Sequence, residues 1–295
     1  MHLHNAVRGA CLCGTVSFEI APPYQWFAHC HCSMCRKQHG VLFGTGLGVP
    51  RERFRWLSGS DSIVHYRATA AFERPFCRRC GSTVPAESGL LDVLHVPAGL
   101  MDGDLGELPR AHIFVASKAT CFTISDELPQ FAAYPPGVDL PVVAENATPA
   151  SSGRVRGSCL CNAVGFELDG APQRLVNCYC SLCRRSRGAP FGSTVFTTQQ
   201  QFRWLRGRER IRVYRLPPPR SYEVDFCTQC GSLVPTVIPE MSLALLPAGA
   251  LDTALPPLPI VHIHTASKAP WYEITDRWPQ FDEMPPPERF NEFFR

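Results

Sequence analysis

The feature that most constrains this chain is a set of seven cysteines that occurs twice. The first set is Cys11 and Cys13, then Cys30, Cys32 and Cys35, then Cys77 and Cys80. The second is Cys159 and Cys161, then Cys178, Cys180 and Cys183, then Cys227 and Cys230. Seven thiols leave one over from any disulfide pairing within a set, and the C-x-C and C-x-x-C spacings are those of metal sites. Each set divides into a four and a three. Four thiolates close a tetrahedral zinc site, whereas three leave one coordination position for water or substrate. The doubled pattern predicts two metal-stitched domains, each with one closed and one open site.

The repeat extends beyond the cysteines. Cys11 to Cys159 and Cys35 to Cys183 are offsets of 148, while Cys77 to Cys227 and Cys80 to Cys230 are offsets of 150. The two extra residues are assigned to the loop of Pro217, Pro218 and Pro219, where insertions are cheap. Phe54-Arg55-Trp56-Leu57 recurs as Phe202-Arg203-Trp204-Leu205, Ser117-Lys118-Ala119 as Ser267-Lys268-Ala269, and Pro129-Gln130-Phe131 as Pro279-Gln280-Phe281. This period is far too long for a solenoid. The expected organisation is a first zinc domain at 1–134, a linker rich in Pro, Ala, Ser and Gly at 135–156, and a second zinc domain at 157–295.

Bulk properties exclude several classes. A chain of 295 residues has room for two domains. A net charge of +3 gives no electrostatic case for nucleic acid as a partner. No apolar run approaches the length of a membrane helix, and the amino-terminal stretch shows no apolar h-region of a secretory signal. Fifteen cysteines without such a signal point to metal in a reducing cytoplasm.

Within each copy the patterning is mainly β. Val16, Phe18 and Ile20 alternate with polar neighbours, as do Val164, Phe166 and Leu168, which indicates half-buried strands. A short helix is expected after each middle cysteine group, capped by Ser33 or Ser181 and ended by Gly40 or Gly188. Cys11 and Cys13 are expected in an extended segment, leaving by one face, with Cys77-Arg78-Arg79-Cys80-Gly81 as a knuckle opposite. Cys11, Cys13, Cys77 and Cys80, and likewise Cys159, Cys161, Cys227 and Cys230, then hold one metal per domain. Cys30, Cys32 and Cys35 lie close enough to face a second metal, as do Cys178, Cys180 and Cys183.

A fourth protein ligand for the three-cysteine site would come from His29, His31 or His39. Their counterparts Asn177, Tyr179 and Arg187 do not ligate zinc, so histidine closure cannot serve both copies. Arg36 and Lys37, and Arg184 and Arg185, offer charge near the thiolates, and a helix N-terminus at Cys35 or Cys183 would favour ionisation. Lys118 and Lys268 are candidates for a substrate carboxylate, since an extended chain would place each on the face of His112 or His262. A structural role for both lysines competes with that reading. Glu73 and Glu223 are candidate bases. Arg208, Arg210 and Arg212 read as one face of a strand, an anion stripe or a charged edge. Cys121, which stands where the second copy has Trp271, reads as a buried small apolar residue.

The order C-x-C, C-x-C-x-x-C, F-C-x-x-C-G, H-I, S-K-A and P-Q-F resembles the glutathione-dependent formaldehyde-activating enzymes, which share a domain with centromere protein V. The resemblance covers about 120 residues of each half. It implies a mainly β fold, two tandem copies of a zinc-binding β-tent-like domain with short helices. It implies zinc as cofactor, two per domain and four per chain: structural on each four-cysteine set and catalytic on Cys30, Cys32 and Cys35 and on Cys178, Cys180 and Cys183. The chemistry it implies is that of a carbon–sulfur lyase like S-hydroxymethylglutathione synthase. That is the reversible addition of glutathione or a similar thiol to formaldehyde or a related electrophile. A non-catalytic zinc interaction module, or one catalytic and one structural copy, is the alternative. The two halves are expected to pack as an intramolecular pseudo-dimer.

Overall fold

A computed structural model describes residues 3–88, 91–142, 153–286 and 288–289. The chain is mainly β, in two similar halves. In the first, strands Val7–Ala10, Ser17–Ile20 and Phe54–Ser58 form an antiparallel sheet. A second sheet runs in the order Arg110–Ile113, Trp26–Cys30, Gly44–Pro50, Val93–Pro97, Ala86–Glu87, with its first pair parallel. The second half repeats this with Arg154–Ser158, Gly165–Asp169 and Phe202–Arg206 in one sheet. Its other sheet runs Ile260–Ile263, Leu175–Cys178, Gly192–Thr198, Leu243–Pro247, Thr236–Ile238. Of the segment 135–156, residues 143–152 lie outside those described, Pro135 and Gly137 to Pro141 run along a cavity wall, and strand Arg154–Ser158 begins within its last residues.

The alternation in the first strands buries what it predicts: Val16, Phe18 and Ile20 are fully enclosed, as are Val164 and Phe166. Three local expectations are corrected. Cys11 to Gly14 is a turn closed by Gly14 N–H donating to Cys11 O, not an extended segment. Its last residue is left-handed, at φ 74° for Gly14 and 61° for Asn162. Asparagine tolerates that conformation, and the Asn162 carbonyl accepts from Arg206 Nε at 2.9 Å. Arg208–Arg210 is a 3-10 turn, so those arginines do not share a strand face with Arg212, which donates to Arg78 O.

Helices α1, Ser33–His39, and α2, Ser181–Arg187, follow the middle cysteine groups. Their N-caps are Cys32 and Cys180, whose sulfurs accept from the N–H of Cys35 and Cys183, in place of the expected Ser33 and Ser181. Gly40 and Gly188 end them in the left-handed conformation, at φ 64° and 62°, which glycine adopts without strain.

The halves interleave. Ala119, Cys121 and Phe122 of the first pack into the core of the second, around Leu255, Leu258 and Ile260. Ala269, Trp271 and Tyr272 pack reciprocally into the core of the first, around Phe27, Leu47 and Leu94. The cysteine at 121 is therefore matched to the second half's core, where it is buried as read. Trp271 fills the first half's core, 2% exposed and edge-on to Phe27 at 5.6 Å. The knuckles mesh too, since a Cβ at Gly81 would lie 2.5 Å from the Phe226 ring, and one at Gly231 2.3 Å from Phe76. Trp271→Ala should destabilise the chain by about 3–5 kcal/mol in denaturant unfolding, against about 1 kcal/mol for Cys121→Ala. Equal costs would mean that the exchanged segments do not carry the cores they enter.

Candidate metal centres and the adjoining cavity

All fifteen cysteines are free thiols, and fourteen gather into the four groups read from the spacing. In the first four-cysteine group Cys11 Sγ is 3.4 Å from Cys13 Sγ, which is 3.7 Å from Cys77 Sγ. The second group gives 3.5 and 3.7 Å for the matching pairs. A tetrahedron of thiolates about 2.3 Å from zinc has edges of about 3.8 Å, so these spacings fit a metal. The N–H groups of Val16 and Val164 donate to Cys11 and Cys159, which favours thiolate. Their hydrogen-bond network pulls Cys13 far below the usual thiol range and pushes Cys80 far above it. Four sulfurs this close cannot all ionise without a cation among them.

The three-cysteine groups sit where a sheet strand runs into a helix. Cys30 ends strand Trp26–Cys30 and Cys35 lies in α1, with Cys30 Sγ 3.5 Å from Cys32 Sγ. The second group repeats this, with Cys178 Sγ 3.5 Å from Cys180 Sγ. Among the described residues no fourth His, Cys, Asp or Glu ligand atom joins either trio.

The histidines near the first trio are engaged elsewhere. His29 Nδ1 lies 2.8 Å from Thr45 Oγ1, and His39 Nδ1 lies 2.6 Å from Arg187 O. His31 Nε2 lies 2.8 Å from His112 Nδ1, and His112 Nε2 is 3.0 Å from Asp126. The second half keeps the last link as His262–Asp276 at 2.9 Å and puts Tyr179 in place of His31. These buried chains tie the strand carrying the first ligand cysteine to the carboxyl-terminal part of each repeat.

The cations expected beside the thiolates point away from them. Arg36 and Arg184 donate to His31 O and Tyr179 O, Lys37 pairs with Asp252 and Arg185 with Asp102. The cation that reaches the first trio is Arg74, which the sequence reading missed, with Nη2 donating to Cys35 Sγ at 3.6 Å. Cys35 is held well below the usual thiol range by hydrogen bonds with Cys30 and Cys32, with Arg74 adding to them. In the second half Val224 stands in place of Arg74, and Tyr222 Oη donates to Cys183 Sγ at 3.5 Å. Lys118 donates to Phe122 O, and Lys268 to Tyr272 O at 2.6 Å. A 3-10 turn precedes each lysine, so neither follows its histidine along an extended chain. Glu73 pairs with Arg67 and His65, and Glu223 with Arg215.

The first trio opens into a cavity of about 720 Å³, also lined by Trp26, Phe72, Arg74, His95, Arg110 and Tyr134. Burial, with Arg74 adding to it, lowers His95 to about 4, so its imidazole is neutral near pH 7. Burial, with the three thiols adding to it, raises the Tyr134 phenol to about 12, which keeps it a proton donor. On this side of strand Gly44–Pro50 the period-two glycines Gly44, Gly46 and Gly48 leave their places to the His39, His95 and Trp26 rings, and that run is the sequence signal for the cavity wall.

The family model for the glutathione-dependent formaldehyde-activating enzyme matches residues 6–117 and again 154–267. A Halomonas elongata protein, provisionally named a glutathione-dependent formaldehyde-activating enzyme, is 30% identical over 148 residues. That match covers 44% of this chain and 88% of the relative. A crystal structure of a Rhodobacter sphaeroides protein aligns over 36% of this chain and 99% of its own, with 23% identity and a TM-score of 0.29.

Proposed function

Since the chain belongs to the glutathione-dependent formaldehyde-activating enzyme family in both halves, we propose that it is a zinc-dependent carbon–sulfur lyase joining a thiol reversibly to an aldehyde. The observation that supports this best is the first trio, three sulfurs with no fourth protein ligand among the described residues, at the wall of a large cavity. The reaction forms one S–C bond and opens the carbonyl π bond, and the thiol proton ends on the new hydroxyl. The reverse step breaks the S–C bond and returns that proton to sulfur. A zinc ion held by Cys30, Cys32 and Cys35 would supply Lewis acidity and one exchangeable coordination position.

The residues around it do the rest. Arg74 offsets the negative charge of the trio through Cys35. Tyr134, protonated at its Oη, is the donor suited to the developing alkoxide oxygen. Trp26 and Phe72 give the cavity an apolar wall against which thiol and carbonyl are held together. The four-cysteine sets take structural zinc, giving four ions per chain. The halves act as an intramolecular pseudo-dimer, and the site works in a reducing cytoplasm, where its thiols persist.

Exchange NMR with ¹³C-formaldehyde and glutathione tests this reading. The metal-replete chain should speed interconversion with the hydroxymethyl adduct at least about tenfold over buffer. Exchange no faster than in buffer, for formaldehyde and for larger aldehydes alike, would overturn it.

A further inference from the structure

The five-stranded sheet of each half turns one face to the core and the other away from it. In the first half the outer face carries Ala28, Gly46, Gly48 and Ala111, paired as Ala28 with Gly46 and with Ala111. The second half has Val176, Thr194, Phe196 and Val261 at those positions. There Val176, Val261 and Ile263 pack with Phe196 and Phe281 into a hydrophobic cluster that reaches Cys178. The matching positions Ala28, Ala111, Ile113 and Phe131 of the first half line the open cavity instead. A Cβ at Gly46 would lie 2.3 Å from His95 Nε2, and one at Gly48 2.2 Å from Trp26 Nε1. The glycines thus let both rings lie across the strand, 5.6 Å apart. Leu245 and Arg174 replace those rings in the second half.

We propose that the two three-cysteine sites are unequal: the first binds one bulky, carboxylate-bearing thiol adduct per chain, and the second has no room for it. This rests on the reading of the first trio as a site of thiol–carbonyl chemistry. The size follows from the cavity, whose 720 Å³ suits a drug-sized ligand. The charge follows from Arg74, whose guanidinium donates to Met34 Sδ and Cys35 Sγ and pairs with no carboxylate among the described residues. Of the acids lining the cavity, Glu73 is paired with Arg67 and Glu87 with Arg51, while Asp139 is exposed. The apolar body of the ligand lies against Trp26, Phe72, Phe131 and Tyr134. An aromatic or long-chain substituent on the electrophile would find its apolar partners on that wall.

The test is calorimetric titration of the metal-replete full chain with S-(4-nitrobenzyl)glutathione and with S-methylglutathione. The nitrobenzyl conjugate should bind once per chain, at least about tenfold tighter than the methyl conjugate. Gly46→Thr combined with His95→Leu copies Thr194 and Leu245, a combination the second half already packs. It should abolish that preference while leaving metal content unchanged. Two equal equivalents per chain, equal affinity for both conjugates, or an indifferent double variant would overturn the proposal. Failure of the underlying reading looks different: aldehyde exchange stays at the buffer rate while the single, size-selective binding event persists.

Discussion

Cys32→Ser is expected to lower thiol–aldehyde exchange by more than about 100-fold, since loss even of groups that only support a metal ligand costs 10–100-fold. Cys32 has two jobs that serine separates. Its sulfur is one of three ligand atoms, 3.5 Å from Cys30 Sγ, and it is the acceptor that caps α1. Serine is a good N-cap, so the helix and the fold should survive while the thiolate is lost. The readouts are exchange rate, bound zinc and the unfolding midpoint. The expected outcome is one ion fewer per chain with the midpoint within a few degrees of the parent. Full activity in a chain that has lost the ion would remove the first trio from the chemistry. An unfolded chain would be checked with Cys30→Ser, whose residue caps no helix.

Much of this site was legible because cysteine spacing is a local signal with a steep geometric consequence. Two C-x-C pairs, two C-x-x-C knuckles and two middle trios leave few ways to bring sulfurs within one coordination sphere, and the chain gathers all fourteen. The β patterning was legible for the same reason, as at Val16, Phe18 and Ile20. What escaped reading depends on contacts between distant segments. Arg74 lies 39 residues from Cys35 and sits in a loop, with no periodicity to mark its target. The histidines looked like ligands by proximity, yet His29 and His31 alternate with Cys30, so they face the core while the cysteine faces out. Tyr179 and Asn177 hold the same inward positions. The difference in size between Cys121 and its counterpart Trp271 has no reason in the sequence while each residue is assigned to its own half. The exchange of segments puts each in the other's core, where the volumes suit. The Gly46 and Gly48 pair was visible all along, but only its contrast with Thr194 and Phe196 on a folded sheet gives it meaning.

Cys80→Ser is expected to cost the whole chain at least about 5 kcal/mol, because structural zinc contributes roughly 10–16 kcal/mol of apparent binding energy to folding. Cys80 is fully buried and lies in the knuckle that begins at Cys77. Without its thiolate the remaining sulfurs are left as a buried, mutually repelling set. The loss should not stay in the first half. Phe76, just before that knuckle, packs 6.4 Å from Phe226 of the other one, and Gly81 leaves no room for a side chain beneath the Phe226 ring. Tyr66 of the first half packs against the second four-cysteine group, and Tyr214 of the second half against the first. Coupling of this kind predicts one transition reporting from both halves. Trp56 and Trp204 can read it when each is retained singly in a chain whose other tryptophans are phenylalanine. In the parent both probes should report one midpoint, and in Cys80→Ser both should shift together. A first-half probe that moves alone would mean that the knuckles touch without sharing stability. The second half would then fold on its own four sulfurs, and duplication alone would account for the pairing.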